Sequence, residues 1–245
     1  MKKIGLALGG GAVLGAAHVG IIRALSEKDY EVKQIAGTSI GAMVGAFYAF
    51  GKDWKEIQEI ASELEWIDIS NISLSKFGLL NNDKMGDLIQ KHIGDKLIED
   101  AQIPLSIVAT DVSDGSKVVL TSGSVAEAVR ASTCIPGIFE PVEIDGKLLI
   151  DGGVAENVPI KTVKGATNAF AVGVDLNYRN TYSTPINVIE VVLNSFHFLM
   201  QKSDRLQTES ADLLLKPDLS SFNRTEMSQI DALIDKGYEE ALKFL

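Results

Sequence analysis

A serine with a glycine two positions away on each side, Gly37-Thr38-Ser39-Ile40-Gly41, stands between an apolar strand-like run and a helix-like one. The pattern fits a nucleophile elbow, a turn so cramped that glycines must flank a serine whose oxygen is held at the tip of a strand. The same five residues also fit a plain helix N-cap serine, so the surroundings decide. Upstream, "LALGGGAVLG" (residues 6–15) ends a strand-like run in three glycines, Gly9 to Gly11. Glycines let backbone amides approach a ligand, and a helix start adds unpaired N–H donors and partial positive charge; the loop suits something negative. A nucleotide phosphate fits it poorly. Leu14, Gly15 and Ala16 stand where a P-loop ends in Lys-Ser/Thr, and Leu14 occupies the third glycine position of the dinucleotide fingerprint, although Glu31 lies at a tolerable distance for a ribose contact. A hydroxyl at the end of one strand and amide donors at the end of another are what acyl transfer requires.

Such a serine needs a base. His18 falls inside the first helical run, His92 in a polar helix and His197 within "SFHFLM", and none follows a catalytic-looking turn. A Ser-Asp-His order through Asp175 and His197 stays open. The better candidate is Asp151 in "KLLIDGGVAENVPI", where an apolar strand ends at the carboxylate and Gly152 and Gly153 let the backbone turn, although such a segment is also a common turn. In "ATDVSDG" (109–115), Asp111 and Asp114 read first as turn formers and second as residues that shape the site.

These residues must be carried by an alternation of strands and helices. Short apolar runs at Ile4 to Leu8, Val32 to Ala36, Ile103 to Thr110, Val118 to Leu120, Leu148 to Ile150 and Ala169 to Asp175 are interspersed with helical periods at 13–27 and 40–50. That pattern predicts an α/β fold with a largely parallel sheet. Residues 53–93 read as helices flanking an excursion that carries Trp66, Phe77, Leu79 and Leu80, a candidate lid. One long helix is expected over 186–211 and a terminal helix over 224–243.

Composition narrows the partners. A 245-residue chain with 46% hydrophobic residues can bury one sizeable core, and a single domain over 1–245 is expected, soluble and cytoplasmic. The net charge of −10 repels phosphate backbones, so nucleic acid is not expected, and any contact with a membrane surface would rest on apolar area. One cysteine, Cys134, excludes an intrachain disulfide, and three scattered histidines lack zinc spacing, so no metal is expected. Oligomeric state is not legible here.

Taken together, the triple glycine with Gly-x-x-His-x-Gly after it (Gly15 to Gly20), GTSIG, "ASTCIPGIFEPV" and DGG followed by Asn157 and Pro159 lie in one order over residues 4–176. This set resembles the patatin-like phospholipase family, particularly its small bacterial members. The resemblance implies a three-layer α/β/α hydrolase with a mainly parallel sheet and a dyad of Ser39 and Asp151, without a catalytic histidine or a cofactor. It also implies an oxyanion hole made by the amides of Gly10, Gly11 and Ala12. The implied activity is hydrolysis of a lipid or other acyl ester, of phospholipase A, lysophospholipase or carboxylesterase type. An acyltransferase, or a catalytically weak regulatory or acyl-binding protein, are the alternatives on that fold. Two departures stand out: Ala12 takes a position where the family commonly has glycine, and Leu14 one where it has arginine or lysine, so a cation that could orient the loop is missing. Ile135, Pro136, Ile138 and Phe139, with the 66–80 excursion, are the expected lining of an acyl channel.

Overall fold

The computed structural model describes residues 1–64, 80–179, 182, 184–224 and 226–245, apart from the side chains of residues 64, 203 and 205. The expected excursion at Trp66, Phe77 and Leu79 lies outside the described residues. In chain order the elements are β1 (Lys2–Leu8), a 3-10 turn (Ala12–Ala16), α1 (Ala17–Glu27), β2 (Tyr30–Thr38), α2 (Ile40–Ala49), α3 (Trp54–Leu64) and α4 (Asp83–Ile93). They continue as β3 (Leu105–Asp111), β4 (Lys117–Leu120), α5 (Val125–Ser132), β5 (Val142–Ile144), β6 (Lys147–Asp151), α6 (Gly153–Glu156) and α7 (Ile160–Ala166). The last are β7 (Phe170–Val174), α8 (Val188–Gln207), β8 (Leu213–Leu215) and α9 (Ile230–Leu242).

All eight strands join one sheet, paired in the order β5-β6-β3-β2-β1-β7-β8 with β4 also on β3. The run from β3 through β2, β1 and β7 to β8 is parallel, and the β3–β4, β3–β6 and β5–β6 pairs are antiparallel. Parallel strands covered on both faces read as continuous apolar runs, which is why β1 and β2 stood out in the sequence. Their two faces differ in bulk. Ile4, Leu6 and Leu8 of β1 pack into the large core with α1, α2, α3 and α9, while Ala7, Ala36 and Ala171 form a second cluster with Ile160 and Val163 of α7. Small residues on that second face bring α7 close to the sheet, giving three layers.

Several boundaries differ from the sequence expectations. The first helical run opens as a 3-10 turn before α1, and the helices expected over 186–211 and 224–243 are the shorter α8 and α9. The hairpin of β5 and β6 turns through Asp145 and Gly146, both with positive φ (52° and 75°), which is the signature of a two-residue hairpin turn. Among the described residues, no helix is long and apolar enough to cross a membrane.

Candidate active site

Two strand ends meet head to head on β3. Successive residues of a strand present their amide groups to alternate edges. Pro104 O accepts from Ile35 N of β2, and Val112 N donates to Leu148 O of β6; these even-numbered residues put β2 and β6 on the same edge of β3. Asp111 N donates to Ser116 O, which places the β4 hairpin on the other edge. β2 is parallel to β3 and ends with Thr38 opposite Val108; β6 is antiparallel and ends with Asp151 opposite Ala109. The sheet thus delivers the last residue of β6 and the residue after β2 to one point.

There, Ser39 Oγ donates to Asp151 Oδ2 at 2.7 Å. Ser39 adopts φ 54° and ψ −127°, a conformation that favours glycine and that marks the strained turn expected of an elbow. A Cβ on Gly41 would run into the carbonyl of Leu8, and one on Gly37 into the backbone of Ala42, so the helix can start directly beneath the strand tip only with glycine at both places. Ser39 N donates to Ser132 Oγ at 2.8 Å, and Ser132 Oγ donates to Val108 O at 2.6 Å, tying the elbow to α5 and β3. Ser132 lies within the ASTCIPGIFEPV motif, but the sequence assigned it no role.

Asp151 is 1% exposed. Its Oδ1 accepts from Gly153 N at 2.8 Å, and its own amide donates to Cys134 O at 2.8 Å. Gly152 lies against the carbonyl of Val108, an approach that leaves no space for a Cβ. Burial pushes the Asp151 carboxyl up to about 6, against the opposing hydrogen bonds from Ser39 and Gly153. The group is therefore a stronger base than an exposed aspartate and is still ionised at neutral pH. The neighbouring Cys134 is buried, and burial together with the charge of Asp151 pushes its thiol up to about 12, leaving it inert.

None of the three histidines hydrogen-bonds Ser39 or Asp151 among the described residues. His18 is buried with Nε2 2.7 Å from Gly9 O, His92 pairs with Glu63 at 3.0 Å, and His197 packs against the rings of Tyr182 and Phe196. Burial lowers His18 to about 4 and, with the charge of Arg224, His197 to about 3, so both stay neutral. Asp175 accepts from Asn177 N at 2.8 Å, and no Asp175–His197 hydrogen bond forms. Asp111 and Asp114 close turns onto Ser113 and Ser116, as their spacing suggested.

The glycine loop sits beside Ser39, and it is held from both sides. Gly10 N donates to Asn157 Oδ1 at 3.1 Å, Gly10 O accepts from Asn177 Nδ2 at 3.2 Å, and His18 holds Gly9 O. Behind these, Asn157 Nδ2 donates to Asp204 Oδ2 at 3.0 Å and Arg224 Nη2 donates to Asn177 Oδ1 at 2.7 Å. The Gly10 amide, expected as an oxyanion donor, is thus used to anchor the loop; no acceptor is placed on the Gly11 or Ala12 amides among the described residues. Ala12 takes φ 52°, the left-handed region, at the position where the family pattern has glycine. Leu14 is fully buried in the large core, a place no cation would occupy. The cation near the loop is instead Arg224, 7% exposed, whose carbonyl also accepts from Val13 N at 3.3 Å. Asn157 was visible as part of a motif; Asp204 and Arg224 come from distant elements and carried no local signal.

The chain is similar to known proteins over most of its length. An uncharacterized NTE family protein of Mycobacterium bovis is 36% identical over 177 residues, which are 71% of this chain and 49% of that protein. Lysophospholipase NTE1 of Candida glabrata is 31% identical over 207 residues, 80% of this chain but 12% of that one. The chain thus spans about half, or much less, of the curated relatives it matches. In fold it is similar to VipD from Legionella pneumophila, with a TM-score of 0.55 at 14% identity, over 99% of this chain and 66% of that one. The family model described as patatin-like phospholipase matches residues 6–164, and by that match the chain belongs to the patatin-like phospholipase family.

Proposed function

We propose that this chain is a serine acyl hydrolase of lipid esters, working through a dyad of Ser39 and Asp151 over a single unit of residues 1–245. The observation that carries the reading is the 2.7 Å hydrogen bond from a strained, half-buried serine to a buried carboxylate whose basicity is raised. As Ser39 Oγ attacks the ester carbonyl, its proton passes to Asp151 Oδ2. The tetrahedral oxyanion is received by the amides of Gly11 and Ala12, preorganised by the bonds that fix Gly10. Asp151 then protonates the departing alcohol, leaving an acyl ester on Ser39. A water molecule that gives its proton to Asp151 releases the carboxylic acid and restores the serine. No step calls for a cofactor.

A lipid ester is favoured by family membership and by a relative named lysophospholipase. The free, buried Cys134 fits a reducing compartment, and we place the protein in the cytoplasm. The test is release of fatty acid from lysophosphatidylcholine and from p-nitrophenyl esters. Ser39→Ala is expected to lower kcat/KM by about 1,000-fold or more; activity unchanged in that variant would overturn the reading.

A further inference from the structure

The Gly10–Gly11 peptide lies against the nucleophile: a Cβ on Gly10 would stand 3.1 Å from the Ser39 Cβ. In a planar trans peptide the carbonyl and the following N–H point in opposite directions, so whatever holds Gly10 O also aims the Gly11 N–H. Asn177 holds that carbonyl, through Nδ2 at 3.2 Å. Its own backbone is fixed just beyond β7: Asn177 N donates to Asp175 Oδ1 at 2.8 Å, and its carbonyl accepts from Gln201 Nε2 of α8 at 3.0 Å. An asparagine amide can face either way, and its neighbours select which. Arg224, which can only donate, has Nη2 2.7 Å from Asn177 Oδ1, and Asp204 Oδ2 accepts from Asn177 Nδ2 at 3.3 Å. The flipped amide would set N–H against the guanidinium and oxygen against both Gly10 O and the carboxylate. Burial and the charge of Asp175 push the Asp204 carboxyl up to about 7, but its Oδ1 has no partner, so a proton taken up there leaves Oδ2 an acceptor.

Stability does not account for Arg224. Its guanidinium is buried, and Nε and Nη1 have no hydrogen-bond partner among the described residues. Desolvation of a charge with two unpaired donors outweighs its one hydrogen bond to Asn177. We propose that Asn177 is the positioning residue of the oxyanion hole, aiming the Gly11 N–H by its hold on the carbonyl of the same peptide, with Arg224 and Asp204 selecting the working face of its amide. The proposal rests on the hydrolase reading of Ser39.

The experiment compares the wild type with Asn177→Ala, Arg224→Met and Arg224→Lys. It reads Tm, kcat and KM for p-nitrophenyl acetate, and the affinity of an alkyl trifluoromethyl ketone, whose adduct with Ser39 carries an oxyanion in the same place. Arg224→Met keeps the length of the side chain without its buried charge and is expected to melt no lower than the wild type. Its kcat is expected to fall about 10-fold or more with KM within about twofold, and ketone affinity to fall by the same factor as kcat/KM. Asn177→Ala should behave alike, and Arg224→Lys, still only a donor, should recover part of kcat. A merely structural arginine would change Tm and leave kcat of the folded protein alone. A smaller fall in kcat, or one that ketone affinity does not follow, in folded Arg224→Met or Asn177→Ala would overturn the proposal. Failure of the hydrolase reading shows separately, as a wild type that neither hydrolyses the ester nor takes a fluorophosphonate on Ser39. The aim of the Gly11 N–H is then judged by its resonance in 15N-glycine-labelled protein: a shift in Arg224→Met that Arg224→Lys restores supports it, and any other pattern rejects it.

Discussion

A carboxylate can take a proton from a serine only if its environment makes it more basic than an exposed aspartate yet leaves it ionised. Asp151 meets that condition through burial, and its value of about 6 sets a pH dependence. kcat/KM is expected to rise about tenfold per pH unit below 6 and to level above it; a profile measured from pH 4.5 to 8 with its limb near 4 would show that desolvation is not the cause. The same shift acts on stability. The folded protein holds this proton more tightly than the unfolded chain, whose ordinary value is 3.8, so the favourable contribution is complete below about 4 and is lost as pH rises through about 6. Asp151→Asn removes the ionisation and is expected to raise unfolding stability at pH 7.5 by about 1–3 kcal/mol, with little change near pH 3, in urea denaturation. Ser132 is a positioning residue: it accepts from Ser39 N and donates to Val108 O. Ser132→Ala leaves both groups unpaired, and is expected to cost about 1–3 kcal/mol of stability and to lower kcat more than it changes KM. Rescue by Ser132→Thr distinguishes loss of the hydroxyl from loss of packing.

Elements bring Ser39 and Asp151 together through a pairing that no local motif encodes. The serine elbow and the DGG turn were legible because each ends an apolar strand at a residue with chemistry, and glycine follows for a steric reason. Their meeting was not legible, because it depends on β2 and β6 sharing one edge of β3 in opposite directions. The strands β5 and β8, three residues each, are too short for a periodic signal. The bond on the Gly10 amide was not legible for a similar reason: glycine spacing announces a loop that approaches something, and only the fold places Asn157 against that amide. At Ala12, the left-handed φ of 52° stores strain that glycine would relieve. Ala12→Gly is expected to stabilise the protein by about 0.5–1 kcal/mol after the entropy of the unfolded glycine is counted. Thermal unfolding checks this, and a destabilised variant would mean that the Ala12 methyl supports the packing around the apolar cavity it lines.

At the scale of the whole molecule, a net charge of −10 coexists with apolar side chains exposed along α8, including Val188, Leu199 and Leu206. Binding to lipid is therefore expected to draw on apolar area. Vesicles of neutral phosphatidylcholine and vesicles containing anionic lipid should retain the protein to a similar, salt-insensitive degree in a sedimentation assay. A strong preference for anionic vesicles would contradict that expectation. The sheet that organises the molecule was legible from its apolar runs, while the clamp of Asn177, Asp204 and Arg224 on the glycine loop draws on residues far apart in the chain and emerges only from the fold. That clamp offers a cation near the loop where Leu14 gives none. The proposed function rests on one chemical event, transfer of the Ser39 proton to Asp151. The most direct measurement is the rate of fluorophosphonate labelling in the wild type, Ser39→Ala and Asp151→Asn at pH 7.5. Labelling that vanishes with Ser39→Ala and slows by about 100-fold or more with Asp151→Asn is the predicted result; labelling of Asp151→Asn at the wild-type rate would contradict the dyad.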